Sequence, residues 1–278
     1  MLIKSYAKIN LSLTINKKIK KKGLHDIQSQ FCLINLFDTI SIKKNKNNFD
    51  KISFNGPHSK KVKKKNNSIQ KILKIMRKLN IISNYYSIKV YKQIPVFAGL
   101  GGGSSNAASL LKFFCIKKIE DKIFNKIIDQ VGSDLRLFFY EQGFLQSLKK
   151  IVKFKKKYKL FFLVVYPNIN CSTKEVYSKV KNYNKKNVFK QNNKNKADLI
   201  SKIYNSNNDL QSIVEKKYPV IPKLLLSISN QKGCYFSRMT GSGSACYGLF
   251  RNKRCSKVAL KRLRKKYPKF WFSIANTI

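Results

Sequence analysis

Four glycines, Gly99, Gly101, Gly102 and Gly103, fall within five positions, and Ser104-Ser105 follows at once. A plain turn needs one or two glycines. This many strips side chains from backbone that must turn through positive φ and come close to a ligand. The chemistry that fits is phosphate binding, with free N–H groups at a helix start, the positive end of the helix dipole and the Ser104 and Ser105 hydroxyls cradling a nucleotide triphosphate. No Gly-Lys-Ser/Thr closes the loop as a Walker A motif would, and no acidic residue follows as in a dinucleotide fingerprint.

The flanking elements must deliver that loop. Before it, Ser87 to Ile94 alternates around Ile88 and Val90, which predicts a strand ending at Pro95. After it, Ala107, Ala108, Leu110, Leu111 and Phe114 recur at helical spacing, with Ser104 to Asn106 in the position of an N-terminal cap. Further strands are expected at Ile9–Ile15, Gln28–Phe37, Asp38–Lys43, Leu160–Tyr166, Cys234–Met239 and Ala245–Phe250, and at the C-terminus. A short strand is expected at Ile52–Phe54 within an otherwise polar stretch. Helices are expected at Ser68–Leu79 behind Ser68, at Asp121–Gln130, from Thr173 and at Cys255–Lys266, while Lys17–Gly23 reads as a basic turn and Tyr183–Lys196 as an exposed insertion. Mixed strands and helices in this order predict an α+β protein.

At 278 residues and 43% hydrophobic, the chain can form two modest domains or one large one. Its longest apolar run, Leu160 to Tyr166, is too short for a bilayer, and its N-terminus has no signal-peptide pattern; a cytoplasmic protein is expected. Six cysteines without a Cys-x-x-Cys pair argue against a zinc site or a disulfide framework. The formal charge of +47 invites a nucleic-acid partner. Only seven of the 59 basic residues are Arg, however, and the lysines spread along the whole chain among Asn and Ile, a pattern of compositional drift rather than of a phosphate-reading surface. No specific nucleic acid and no membrane are expected as partners.

The glycine loop, Ala7-Lys8-Ile9-Asn10, Gly23-Leu24-His25, Gly132-Ser133-Asp134 and Thr240-Gly-Ser-Gly-Ser244 occur in the order seen in the GHMP small-molecule kinases, which the chain resembles from about residue 4 to about residue 275. The resemblance implies a two-domain GHMP kinase fold, with a ribosomal-protein-S5-like α/β domain over residues 1–156 and a ferredoxin-like α+β domain over 157–278. It also implies ATP as phosphoryl donor with Mg²⁺ on its phosphates, and a cytidine-diphosphate-linked alcohol as the small-molecule acceptor. The ATP loop would comprise Pro95, Val96, Phe97, Ala98, Gly99, Leu100, Gly101, Gly102, Gly103, Ser104 and Ser105, with Ser104 or Ser105 a candidate Mg²⁺ ligand and no carboxylate cage for the metal. Lys8 and Asp134 map onto the catalytic pair, Asp134 as general base. Asn10, His25, Thr173 and Tyr177 map onto the substrate side, with His25 and the Tyr177 ring at the cytosine. Gly241 and Gly243 fit a tight loop closing over the site, and the assembly expected is a monomer or weak homodimer. Other GHMP acceptors (homoserine, mevalonate or a sugar) and, more remotely, a basic RNA-binding protein are the alternatives. Three features depart from the family pattern: Leu24 replaces an aromatic, Leu135-Arg136 replaces Val-Pro, and Phe97 puts a large ring before the glycines.

Overall fold

The computed structural model describes residues 1–19, 24–115, 119–186 and 195–278. Residues 20–23, with Gly23, and 187–194, within the expected insertion, lie outside them. In chain order the elements are β1 (Leu2–Asn10), β2 (Thr14–Ile19), β3 (Leu24–Asn45), β4 (Lys51–Asn55), α1 (Ser68–Lys78), β5 (Tyr85–Tyr91), α2 (Gly102–Phe114) and α3 (Asp121–Val131). A 3₁₀ segment (Ser133–Phe139), β6 (Gln142–Ser147), β7 (Lys150–Lys153), β8 (Phe161–Tyr166), α4 (Thr173–Ser178), α5 (Lys196–Tyr204), α6 (Gln211–Lys217) and α7 (Val220–Ser229) follow. Last come β9 (Cys234–Met239), β10 (Cys246–Phe250), α8 (Lys253–Lys266) and β11 (Trp271–Asn276). The class is α+β, as expected.

Residues 1–8, 36–96 and 101–140 form one compact unit. Within it the C-terminal half of β3 pairs antiparallel with β5, from Thr39 opposite Tyr91 to Asn45 opposite Tyr85, and β5 pairs parallel with β4. Ile40, Ile42, Ile88 and Val90 from these strands are buried. Helix α1 buries Ile69, Ile72, Leu73 and Met76, a stripe at helical spacing, and packs on α2 and α3. Its cap is Asn67 rather than the expected Ser68: the Asn67 side chain accepts from the Ile69 and Gln70 amides, and Gln70 answers in a capping box.

Residues 9–35, 97–100 and 141–278 form the other unit. Here the N-terminal half of β3 pairs antiparallel with β2 and β6, and β6 continues into β7. A second, antiparallel sheet runs β11-β8-β10-β9, with α8 packed on β8 and β11, and α7 on β9 and β10. Strand β8 lies inside this sheet, so both its faces need apolar cover and Phe162 to Tyr166 form an unbroken buried run.

Three strand expectations change. The strand expected over Ile9–Ile15 is two strands, β1 and β2, separated by Leu11–Leu13. The two expected at Gln28–Phe37 and Asp38–Lys43 are one strand, β3, because Asp38 is fully buried and satisfied within it rather than marking a turn. The strand expected to reach Ile94 stops at Tyr91.

Candidate active site

Strand β1 carries Lys8 into the first unit, where the side chain is 4% exposed and its Nζ lies 3.9 Å from Oδ2 of Asp134. Asp134 sits at the start of the 3₁₀ segment, with its carboxylate 44% exposed. The segment is anchored by Leu135 and Leu137, both buried, and entered through Gly132 at φ +146°, a conformation an L side chain rarely adopts. Arg136 extends to α3, donating to Asn125 Oδ1 at 2.5 Å and lying over the Phe124 ring. Burial lowers the Lys8 pKa, and the Asp134 carboxylate opposes that fall. The pair is therefore a desolvated cation beside an open carboxylate.

Gly101 lies against this pair. A Cβ there would stand 3.2 Å from Lys8 Cε and 2.7 Å from Phe138 Cζ, so a glycine is needed for the loop to approach the lysine stem. Gly101, at φ +71°, is also the N-cap of α2, and Gly102 begins the helix. The expected cap at Ser104 to Asn106 thus moves toward the N-terminus, because a left-handed glycine ends the loop before the serines are reached. The amides of Gly102, Gly103 and Ser104 precede the first helical hydrogen bond, from the Ser105 amide to the Gly101 carbonyl (2.9 Å). Gly103 is exposed and Ser104 partly so, open to an anion. Ser105 departs from expectation: it is buried, donates its hydroxyl to the Tyr6 carbonyl (2.6 Å) and shares a hydrogen bond with Ser5 (2.7 Å), so it braces β1 instead of facing phosphate.

A buried network that sequence reasoning missed fixes the approach to α2. Asp38 Oδ1 accepts from the amides of Gln93 (2.8 Å) and Ile94 (2.9 Å), and its Oδ2 takes Lys92 Nζ. With its amide turned to satisfy both neighbours, Asn106 donates to Asp38 Oδ2 and to the Gly102 carbonyl, each at 3.0 Å. No local pattern announces such a cluster, since Asp38 and Lys92 lie 54 residues apart.

Of the remaining site candidates, Pro95 and Val96 belong to the first unit and the others to the second. Gly99, at φ +82°, meets backbone: a Cβ would lie 2.2 Å from the Thr240 carbonyl, and one on Gly243 would lie 2.1 Å from the Gly99 nitrogen. The Ala245 amide donates to the Ala98 carbonyl at 3.1 Å. The 240–244 loop therefore splints residues 98–99 main chain to main chain. Phe97 holds φ +63° with its ring exposed; Ala98, Leu100 and Pro95 are buried, and Val96 partly so. Asn10, on the strand two residues after Lys8, donates its amide N–H to the Thr240 hydroxyl (2.9 Å) and its side-chain amide to Ser29 (2.8 Å). Thr173, in the first turn of α4, shares a hydrogen bond with Ser242 (3.0 Å). Tyr177, one turn on, faces His25 with ring centroids 5.1 Å apart and planes 33° apart. Burial and the nearby Lys18 lower the His25 pKa, which favours a neutral ring with one donor and one acceptor nitrogen. His58 belongs to the first unit, where it is buried and donates its backbone amide to the Lys92 carbonyl.

Comparison with known proteins identifies the family of the chain. The family model for the GHMP kinases N terminal domain matches residues 67–132, and that for the GHMP kinases C terminal region matches 185–269. A 4-diphosphocytidyl-2-C-methyl-D-erythritol kinase of Pelagibacter ubique is 40% identical over 99% of this chain and 98% of its own length. The protein of the same name from Wolbachia sp. subsp. Brugia malayi is 30% identical over 99% of this chain and 98% of its own. A crystal structure of 4-(cytidine 5'-diphospho)-2C-methyl-D-erythritol kinase shares the fold, with a TM-score of 0.74 over 99% of both chains at 19% identity. The chain is a two-domain GHMP kinase and belongs to the 4-diphosphocytidyl-2-C-methyl-D-erythritol kinase family.

Proposed function

We propose that the chain transfers the γ-phosphate of ATP to the 2-hydroxyl of 4-diphosphocytidyl-2-C-methyl-D-erythritol, a step of the non-mevalonate route to isoprenoid precursors. The observation that carries this reading is the Lys8–Asp134 pair, 3.9 Å apart, against a glycine that could not bear a side chain there. Phosphoryl transfer asks little covalent work of a protein; positioning and charge stabilisation supply most of the catalysis. Asp134 accepts the acceptor's hydroxyl proton. Lys8 offsets negative charge on the group in flight.

Residues 95–104 hold ATP, with the first amides of α2 directed at its phosphates. Mg²⁺, when bound, neutralises charge on those phosphates. Ser104 would be the hydroxyl of the serine pair to reach that ion, since the Ser105 hydroxyl is taken by the Tyr6 carbonyl. Asn10 and Thr173 take the polyol side, and neutral His25 reads the hydrogen-bonding edge of cytosine while Tyr177 stacks. We assign residues 1–156 to the N-terminal domain and 157–278 to the C-terminal one, with the family matches falling on either side. We place the enzyme in the cytoplasm as a monomer or weak homodimer; its six cysteines are free, and no helix among the described residues is long and apolar enough to cross a membrane.

Asp134→Asn tests the assignment. Transfer should fall about a hundredfold or more while ATP still binds; unchanged turnover would defeat the role given to Asp134. A panel of acceptors (the cytidine-linked polyol, its uridine counterpart, homoserine and mevalonate) decides the substrate.

A further inference from the structure

Tyr183 opens a polar, Lys- and Asn-rich stretch. Its ring lies 6.1 Å from His25, centroid to centroid, with the planes only 18° apart. Tyr177 faces the same imidazole at 5.1 Å. His25 thus has two tyrosine neighbours, one delivered by α4 and one by the segment after it.

That segment is held in place by its neighbours. The Asn184 amide donates to the Ile15 carbonyl (2.8 Å), and Asn16 Nδ2 donates to the Asn184 carbonyl (3.2 Å), so residue 184 binds alongside β2. Asn184 Nδ2 also donates to Asp209 Oδ2 (2.8 Å), the oxygen that accepts the Ile15 amide. Two residues on, Lys186 pairs at 2.7 Å with Asp26, the buried neighbour of His25 on β3. Polar anchors following Tyr183 fix its backbone, yet the residue stays 42% exposed. A ring carried on backbone anchored next to it and buried this little contributes modestly to a core, but it offers a flat face to solvent beside a histidine able to read a hydrogen-bonding edge. The residue before that histidine, Leu24, is 40% exposed and brings no π-face.

We propose that Tyr183 is a specificity-determining residue of the phosphoryl acceptor, stacking on its pyrimidine base and supplying the aromatic surface that Leu24 lacks. This role rests on the cytidine-linked acceptor proposed above.

The test compares Tyr183→Ala, Tyr183→Phe and the double variant Leu24→Tyr/Tyr183→Ala with the intact chain, measuring turnover of the cytidine-linked acceptor and, separately, the Kd for cytidine 5'-diphosphate by calorimetry. Tyr183→Ala should raise both the acceptor KM and the cytidine 5'-diphosphate Kd about three- to tenfold, with kcat and the ATP KM unchanged. Tyr183→Phe should match the intact chain, and Leu24→Tyr should recover most of the loss. If the intact chain binds cytidine 5'-diphosphate and Tyr183→Ala binds it equally well, the proposal is wrong while the kinase reading stands. A Tyr183→Ala chain that fails to fold would overturn it too, since the ring would then be structural. If the intact chain neither binds cytidine 5'-diphosphate nor phosphorylates the cytidine-linked acceptor, the acceptor assignment fails and takes this proposal with it.

Discussion

Lys8 shows how one residue's surroundings set its chemistry. In sequence it is a lysine in an apolar stretch, ordinarily solvated; in the fold it is nearly fully buried, with Asp134 opposing the pKa depression that burial causes. Its folded pKa lies below the unfolded value of about 10.4, so the charged form costs the fold stability at neutral pH, and that cost is relieved as pH rises from the folded pKa toward the unfolded one. Catalysis needs the charge. The alkaline limb of the kcat/KM profile, which reports the free enzyme, should therefore fall at a pH below about 10.4, and a limb at or above that value would show that Lys8 is not the titrating group. Arg136, where the family pattern has proline, illustrates a departure absorbed by structure: its guanidinium ties the segment bearing Asp134 to Asn125 on α3, a fixed point in place of a fixed φ.

At the scale of elements, the glycines of the loop have different duties. Gly99 is required by its neighbours, since both its φ and the Thr240 carbonyl exclude a methyl group. Gly103 is not: a Cβ there would meet only Ser68, at 3.4 Å or beyond, in ordinary contact. Gly99→Ala should cost about 2 kcal/mol or more and lower Tm by several degrees. Gly103→Ala should leave Tm unchanged or raise it, because alanine is favoured over glycine in a helix by roughly 0.5–1 kcal/mol, yet it should raise the ATP KM by crowding the amide end of α2. Thermal melts and ATP kinetics on the two variants check this, and parallel loss of stability in both would contradict it. The loop, α1, α3, α4, β8 and α8 were all legible from periodicity and punctuation. The true cap of α2 was not, because a left-handed glycine leaves no side-chain signature, whereas Ser104 imitates a cap. The continuity of β3 was hidden for a related reason: a buried Asp38 is tolerable only through Lys92 and two amides contributed by a distant segment.

For the whole molecule, the charge of +47 from 59 basic and 12 acidic residues is the dominant physical fact. Like charges over one surface repel and oppose compaction. Raising salt from about 0.1 M to about 1 M shortens the screening length from roughly 10 Å to roughly 3 Å, so Tm should climb with added NaCl in that range. Attraction to RNA should be weak and salt-sensitive. A flat Tm, or tight RNA binding at physiological salt that survives substitution of Gly101 and Asp134, would favour a nucleic-acid role for the charge. By itself the sequence determined the glycine loop and the α+β class, because glycine clustering and hydrophobic period are local and written in residue order, whereas Lys8, Asp134, His25 and Tyr177 stood out only through the family resemblance. Only the tertiary structure decided that Ser105 braces β1, that Asp38 and Lys92 hold the approach to α2, and that Tyr183 lies beside His25. Those roles depend on which distant groups satisfy a buried polar atom or share a ring face, and such partners are chosen by packing rather than by spacing along the chain.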